Sequence, residues 1–96
     1  ELKKHRDLVV SRLNSMPGIS CSNPKGAFYA FPNVEGTGMS STEFANELLQ
    51  EAGVAVLAGE SFGQYGKGFI RISFANSTEN LVEAMEKISS FVKSKT

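Results

Sequence analysis

Between Gly68 and Asn76 the chain reads Gly-Phe-Ile-Arg-Ile-Ser-Phe-Ala-Asn, and this run constrains the fold more than any other. Its β-branched and aromatic residues suit a pleated, half-buried surface. Strand alternation sends Ile70, Ile72 and Phe74 to one face and Phe69, Arg71, Ser73 and Ala75 to the other. The chain must therefore form a sheet with an apolar layer against one face and a cation on the other. A guanidinium set between Phe69 and Ser73 has to meet an anion, reach solvent past its neighbours, or bear a desolvation cost of several kcal/mol. If it meets an anion, the strand carries a binding site.

With 96 residues, 41% of them hydrophobic, the chain suffices for one domain with a modest core and is short for a metabolic enzyme with its own cofactor pocket. Ten basic residues balance ten acidic ones, so no global field favours nucleic acid, a membrane or a highly acidic partner. Recognition has to be local. Cys21 stands alone, which excludes an internal disulfide and suits a small buried hydrophobe better than a nucleophile. No spacing of Cys and His suggests a metal site. The first residues, Glu-Leu-Lys-Lys-His-Arg, contain neither an initiator Met nor an apolar signal core, and nothing approaches the roughly 20 apolar residues of a membrane span. Residues 1–96 are therefore expected to be one domain cut from a longer polypeptide, cytoplasmic or, with its targeting segment outside these residues, organellar.

In chain order, Leu2, Val9, Leu13 and Met16 recur at helical spacing, with Lys3, Lys4, Arg6, Arg12 and Asn14 on the polar side. Pro17-Gly18 stops this helix. Lys3, Lys4 and Arg6 read as a solvated face, and His5 as an exposed structural histidine without a partner. Asn23-Pro24-Lys25-Gly26 signals a turn, and Ala27 to Phe31 a strand whose two faces are both apolar. Helices cover one such face; the other calls for a second domain, a subunit or a ligand. Ser40 and Glu43 have the spacing of a capping box before a helix that buries Phe44, Ala45, Leu48, Leu49 and Ala52 and ends at Gly53. Val54 to Leu57 form a short apolar strand, expected to be buried on both faces. After the strand of Arg71, Asn76 or Ser77 caps a final helix with Leu81, Ala84, Met85, Ile88, Phe91 and Val92 on its apolar stripe and Lys93 and Lys95 near its negative end.

The order helix, strand, helix, strand, strand, helix gives an α+β domain. The irregular Gly59–Gly68 stretch leaves no room for helical crossovers throughout, so a small mixed or mostly antiparallel sheet with helices packed on it is expected. Leu48, Ile72, Phe74, Leu81, Met85 and Ile88 should be central to the core. The Gly59–Gly68 stretch is not a phosphate loop, because Gly68 follows Lys67 where Ser or Thr should stand. It is not a dinucleotide fingerprint either, since Arg71 replaces the third Gly. Lys67 to Phe74 overlaps the sheet motif of RNA-recognition domains at Lys67, Gly68, Phe69 and Phe74. Ile70 and Arg71 nevertheless occupy the positions of its small residue and stacking aromatic.

Four blocks in order carry a family resemblance: Pro24 to Phe31, Leu48 to Val56, Gly59 to Gly63, and Phe69 to Ala75. Together they resemble the small C-terminal domain of class I, fold type I, pyridoxal-phosphate-dependent aminotransferases of the aspartate aminotransferase type. The resemblance spans nearly the whole chain. It implies that the intact protein transfers an amino group between an amino acid and a 2-oxo acid, works as a homodimer, and uses pyridoxal 5'-phosphate. It further implies that Arg71 binds the substrate α-carboxylate, and that the catalytic and cofactor-binding residues lie in a large domain of the same chain, with none in this segment. Lys25 and Lys67 match no Schiff-base motif, so the segment alone is expected to be inactive. Ala58 stands before Gly59 where many relatives have Pro, a departure that bears on loop stiffness rather than chemistry. The alternative reading is a non-catalytic ligand-binding or interaction module, which the coding sequence upstream of Glu1 would distinguish from the enzyme.

Overall fold

A computed structural model of the chain describes residues 2–22, 28–63 and 66–95. Helix α1 (Leu2–Asn14) is followed by strand β1 (Tyr29–Ala30), helix α2 (Ser41–Ala52), strands β2 (Leu57–Ala58) and β3 (Ile70–Ser73), and helix α3 (Thr78–Ser94). This is the expected order. Short 3-10 turns at Glu35–Thr37 and Gly59–Phe62 make up part of the connections. The sheet has the order β1-β3-β2, and both pairings are antiparallel.

The alternation that points Ile70, Ile72 and Phe74 inward holds: they are 0%, 7% and 2% exposed. They join Val9 and Leu13 of α1, Phe44 and Leu48 of α2, and Leu81, Met85 and Ile88 of α3 in one core. Phe44 and Phe91 meet edge to face across α2 and α3, with ring centroids 5.3 Å apart, a favoured aromatic geometry. Each fully buried side chain of this size contributes about 1.5 to 3 kcal/mol of transfer free energy, most of it offset by chain ordering.

Local chemistry sets the ends of the elements. The capping box at α2 is present in both directions: Glu43 N–H donates to Ser40 Oγ at 3.1 Å, and Ser40 N–H to Glu43 Oε1 at 3.0 Å. Gly53 closes the helix at φ 71°. Ser77 is the cap of α3, accepting from Asn80 N–H at 3.1 Å, while Asn76 Oδ1 takes Ser77 N–H at 2.8 Å. The Pro17-Gly18 turn lies against the Glu35–Thr37 turn so closely that a Cβ on Gly18 would stand 2.6 Å from the Gly36 carbonyl carbon. That contact, together with φ 80° at Gly18, requires glycine there.

Asn14 is exposed on the polar side, as its spacing implies, and its amide also clamps Cys21: its Nδ2 donates to Cys21 O and its Oδ1 accepts Cys21 N–H, each at 2.8 Å. These bonds serve the backbone next to the Ser20–Asn33 bridge. Three expectations change. His5 has a partner, with Nε2 3.0 Å from Thr78 Oγ1, which ties α1 to the start of α3. Leu49 of α2 is 54% exposed, because the buried stripe narrows to Phe44 and Leu48 with Ala45 and Ala52 at its margins. Finally, residues 54–56 are not strand: β2 is Leu57–Ala58, and Leu57, expected to be buried, is 44% exposed. The outer face of β1, expected to need a further layer, is open in this chain, with Phe31 42% exposed. The Asn23 to Ala27 turn lies outside the described residues.

Candidate functional site

The site is the sheet face turned away from the helices. Arg71 lies near the middle of β3, the central strand, and is half-buried. Its Cα partner on β2 is Leu57. On the other side Tyr29 pairs with Ser73 and Ala30 with Ile72, and the bridge Asn33↔Phe69 keeps the same register. Phe31 is therefore level with Arg71, and Tyr29 lies diagonal to it on the same face. Diagonal neighbours on an antiparallel pair are within reach of long and aromatic side chains. The contact is made: Arg71 Cζ lies 4.4 Å from the centroid of the Tyr29 ring.

The backbone explains how this geometry is held. Phe74 N–H donates to Phe28 O at 2.8 Å and Ile70 N–H to Pro32 O at 3.1 Å, so pairing extends past both ends of β1. Pro32 accepts from Ile70 but has no N–H to return, which breaks the ladder after Ala30. The hydrogen-bonded pairs include Ala30 with Ile72, whose side chains point into the core. Tyr29 and Ser73, facing outward, form a non-hydrogen-bonded pair, where side chains on neighbouring strands come closest. Arg71 is thereby placed among Tyr29, Phe31, Leu57 and Ser73 by a strand whose inward residues, Ile70 and Ile72, are locked into the core.

This setting suits recognition of a planar anion. The guanidinium presents a rigid fork of N–H donors that matches a carboxylate in two-point contact. Partial burial and an apolar surround lower the local dielectric and strengthen such a pair. Beside the face, a hollow of about 530 Å³ is lined by Asn14, Cys21, Phe31, Asn33 and Phe69 among others. Cys21 takes no nucleophilic part in it, because burial pushes its thiol pKa up and keeps it protonated near neutral pH.

Other candidate residues are not brought to this face. A larger hollow, about 570 Å³, runs between α2 and α3 and is lined by Glu51, Glu83, Glu86, Lys87 and Phe91. It shares no residue with the Arg71 face. Lys67 is exposed and lies with Glu35 and Glu60 near the start of α2. Lys95 is held by Glu47 at 3.2 Å and Glu51 at 2.8 Å, and Lys87 approaches Glu83 at 3.9 Å. Lys3, Lys4 and Lys93 are exposed on their helices. None of these lysines lines the hollow beside the Arg71 face. Lys25 lies outside the described residues. Among the described residues no cluster of His, Cys, Asp and Glu is arranged to hold a metal ion, and no helix is long and apolar enough to cross a membrane.

Tyr29 is the site residue that sequence reasoning did not single out. Composition and alternation mark it only as one more apolar position of a strand. Its place beside Arg71 depends on the register of two segments some forty residues apart, which no local pattern specifies.

Comparison with known proteins agrees with the fold. The profile of the family described as aminotransferase class I and II matches residues 1–88. An aspartate aminotransferase of Pyrococcus horikoshii is 53% identical over 88 residues, covering 92% of this chain and 22% of that protein. Aromatic-amino-acid aminotransferase 2 of Thermococcus litoralis is 46% identical over 95 residues, covering 99% of this chain and 24% of its own. The crystal structure of an aromatic aminotransferase from Pyrococcus horikoshii superposes with a TM-score of 0.94 at 45% identity, over 99% of this chain and 25% of that one. The chain thus spans about a quarter of the length of the relatives it matches.

Proposed function

Because the chain belongs to the class I and II aminotransferase family, we propose that it is the small-domain part of a pyridoxal-phosphate-dependent enzyme that moves an amino group between an amino acid and a 2-oxo acid, with Arg71 binding the substrate α-carboxylate. The single observation that carries this reading is the half-buried guanidinium at the centre of an outward sheet face with apolar neighbours. Every substrate of such a reaction, donor or acceptor, carries a carboxylate next to the reacting carbon. A fixed fork that grips this group orients the remainder of the molecule without regard to its side chain. The catalytic amine and the cofactor cradle belong to sequence outside this segment, in a large domain of the same chain. That domain covers the exposed Leu57 and Phe31, and the intact protein is a homodimer. Small-domain movement would then close the site and exclude water.

The relatives are named for different substrates, aspartate in one case and aromatic amino acids in the other. A common α-carboxylate clamp in this segment, with side-chain selection made elsewhere, accommodates both. In the full-length enzyme Arg71→Ala is expected to lower kcat/KM for amino-acid donors by the equivalent of about 2 to 5 kcal/mol, as when one partner of a buried charged pair is truncated. Unchanged kcat/KM in a variant with a native circular dichroism spectrum would remove Arg71 from the site.

A further inference from the structure

We propose that Tyr29 is a positioning residue for the carboxylate clamp, its ring holding the Arg71 guanidinium in the orientation that a substrate carboxylate needs. The inference rests on the assignment of Arg71 made above. Arginine has a long, rotamer-rich side chain, and a two-point contact requires its plane to be set before the anion arrives. The ring of Tyr29 supplies such a constraint, because Arg71 Cζ lies 4.4 Å from its centroid. A carboxylate in that place would also fix the guanidinium, but it would compete with the substrate for charge and donors. An aromatic face attracts the cation through its quadrupole and brings no countercharge of its own.

Two features of the fold keep the ring in place. Tyr29 is half-buried, and its neighbour Ala30 is fully buried against the core in register with Ile72. The ring and the guanidinium thus project from adjacent strands whose inward residues cannot slip without exposing the core. Leu57 is the Cα partner of Arg71 on β2, the strand on its opposite side.

The test is a double-mutant cycle in the full-length enzyme with its cofactor, using whichever of L-aspartate, L-phenylalanine and L-alanine turns over fastest. Tyr29→Leu is expected to raise KM about threefold to thirtyfold with a smaller change in kcat, the range of a partly desolvated cation–π contact. Tyr29→Phe, which keeps the ring, is expected to stay within about twofold of wild type on the same grounds. In the Arg71→Ala background Tyr29→Leu should have no further effect, whereas a merely structural role would cost the same in both backgrounds. If Tyr29→Leu lowers the yield of folded protein, Tyr29→Met takes its place in the cycle. A costly Arg71→Ala with a neutral Tyr29→Leu, or with additive effects, overturns the role of Tyr29 alone. A neutral Arg71→Ala overturns the carboxylate assignment and this inference with it.

Discussion

The two faces of β3 use alternate residues of one strand for different work. The inner face, Ile70 and Ile72 with Phe74 beyond the strand end, is sealed under all three helices. The outer face sets Arg71 and Ser73 between Tyr29, Phe31 and Leu57, and leaves two of those large apolar side chains more than 40% exposed. The contrast teaches that stability and recognition in this chain are separable by parity along the strand. The inner residues hold the backbone still, and the outer ones inherit a fixed position without having to contribute much to it.

The separation can be broken most sharply from inside. Phe74→Ala removes a fully buried ring and is expected to destabilise the chain by about 3 to 5 kcal/mol, read as a lower urea midpoint. A loss below about 1 kcal/mol would mean that the helices do not seal this face. Leu57→Ser, on the outer face directly opposite Arg71, should change the same midpoint by less than about 0.5 kcal/mol. A cost like that of a core residue would show that the outer face is packed within this chain, and the parity argument would fail.

The smallest expected effect lies in the helix layer, away from both faces. Lys95 at the end of α3 reaches Glu51 and Glu47 of α2, and these hydrogen bonds raise its pKa. Because the folded value lies above the unfolded one, the contribution is fully present below the ordinary lysine value and is lost as pH rises through the raised one. Lys95→Met should therefore lower Tm slightly at neutral pH and low salt, less at high salt, and not at all in strongly alkaline buffer. A Tm difference independent of pH and salt would assign the effect to packing on Phe91, over whose ring the ammonium lies at 5.4 Å.

Much of this was legible in the sequence because the signals are local. The capping box at Ser40 and Glu43, the left-handed Gly53, the cap of α3 and the stripe from Leu81 to Val92 all follow from residues within a few positions of one another. Each appears as expected. The errors occur where a residue's role depends on a distant one. His5 looks unpartnered until α3 begins at Thr78. Leu57 looked buried because apolar residues usually are, but whether a second layer exists over it is not a property of its own strand.

Alone, the sequence determined the α+β class, the order of the elements, the inward row of β3 and the outward direction of Arg71, since alternation and helical period are short-range consequences of backbone geometry. The order β1-β3-β2, the all-antiparallel pairing and the placing of Tyr29 against Arg71 were decided only in three dimensions. Register is chosen when side chains from separate segments compete to fill one core. A guanidinium and a ring that far apart in the chain acquire a common site only once that competition is settled.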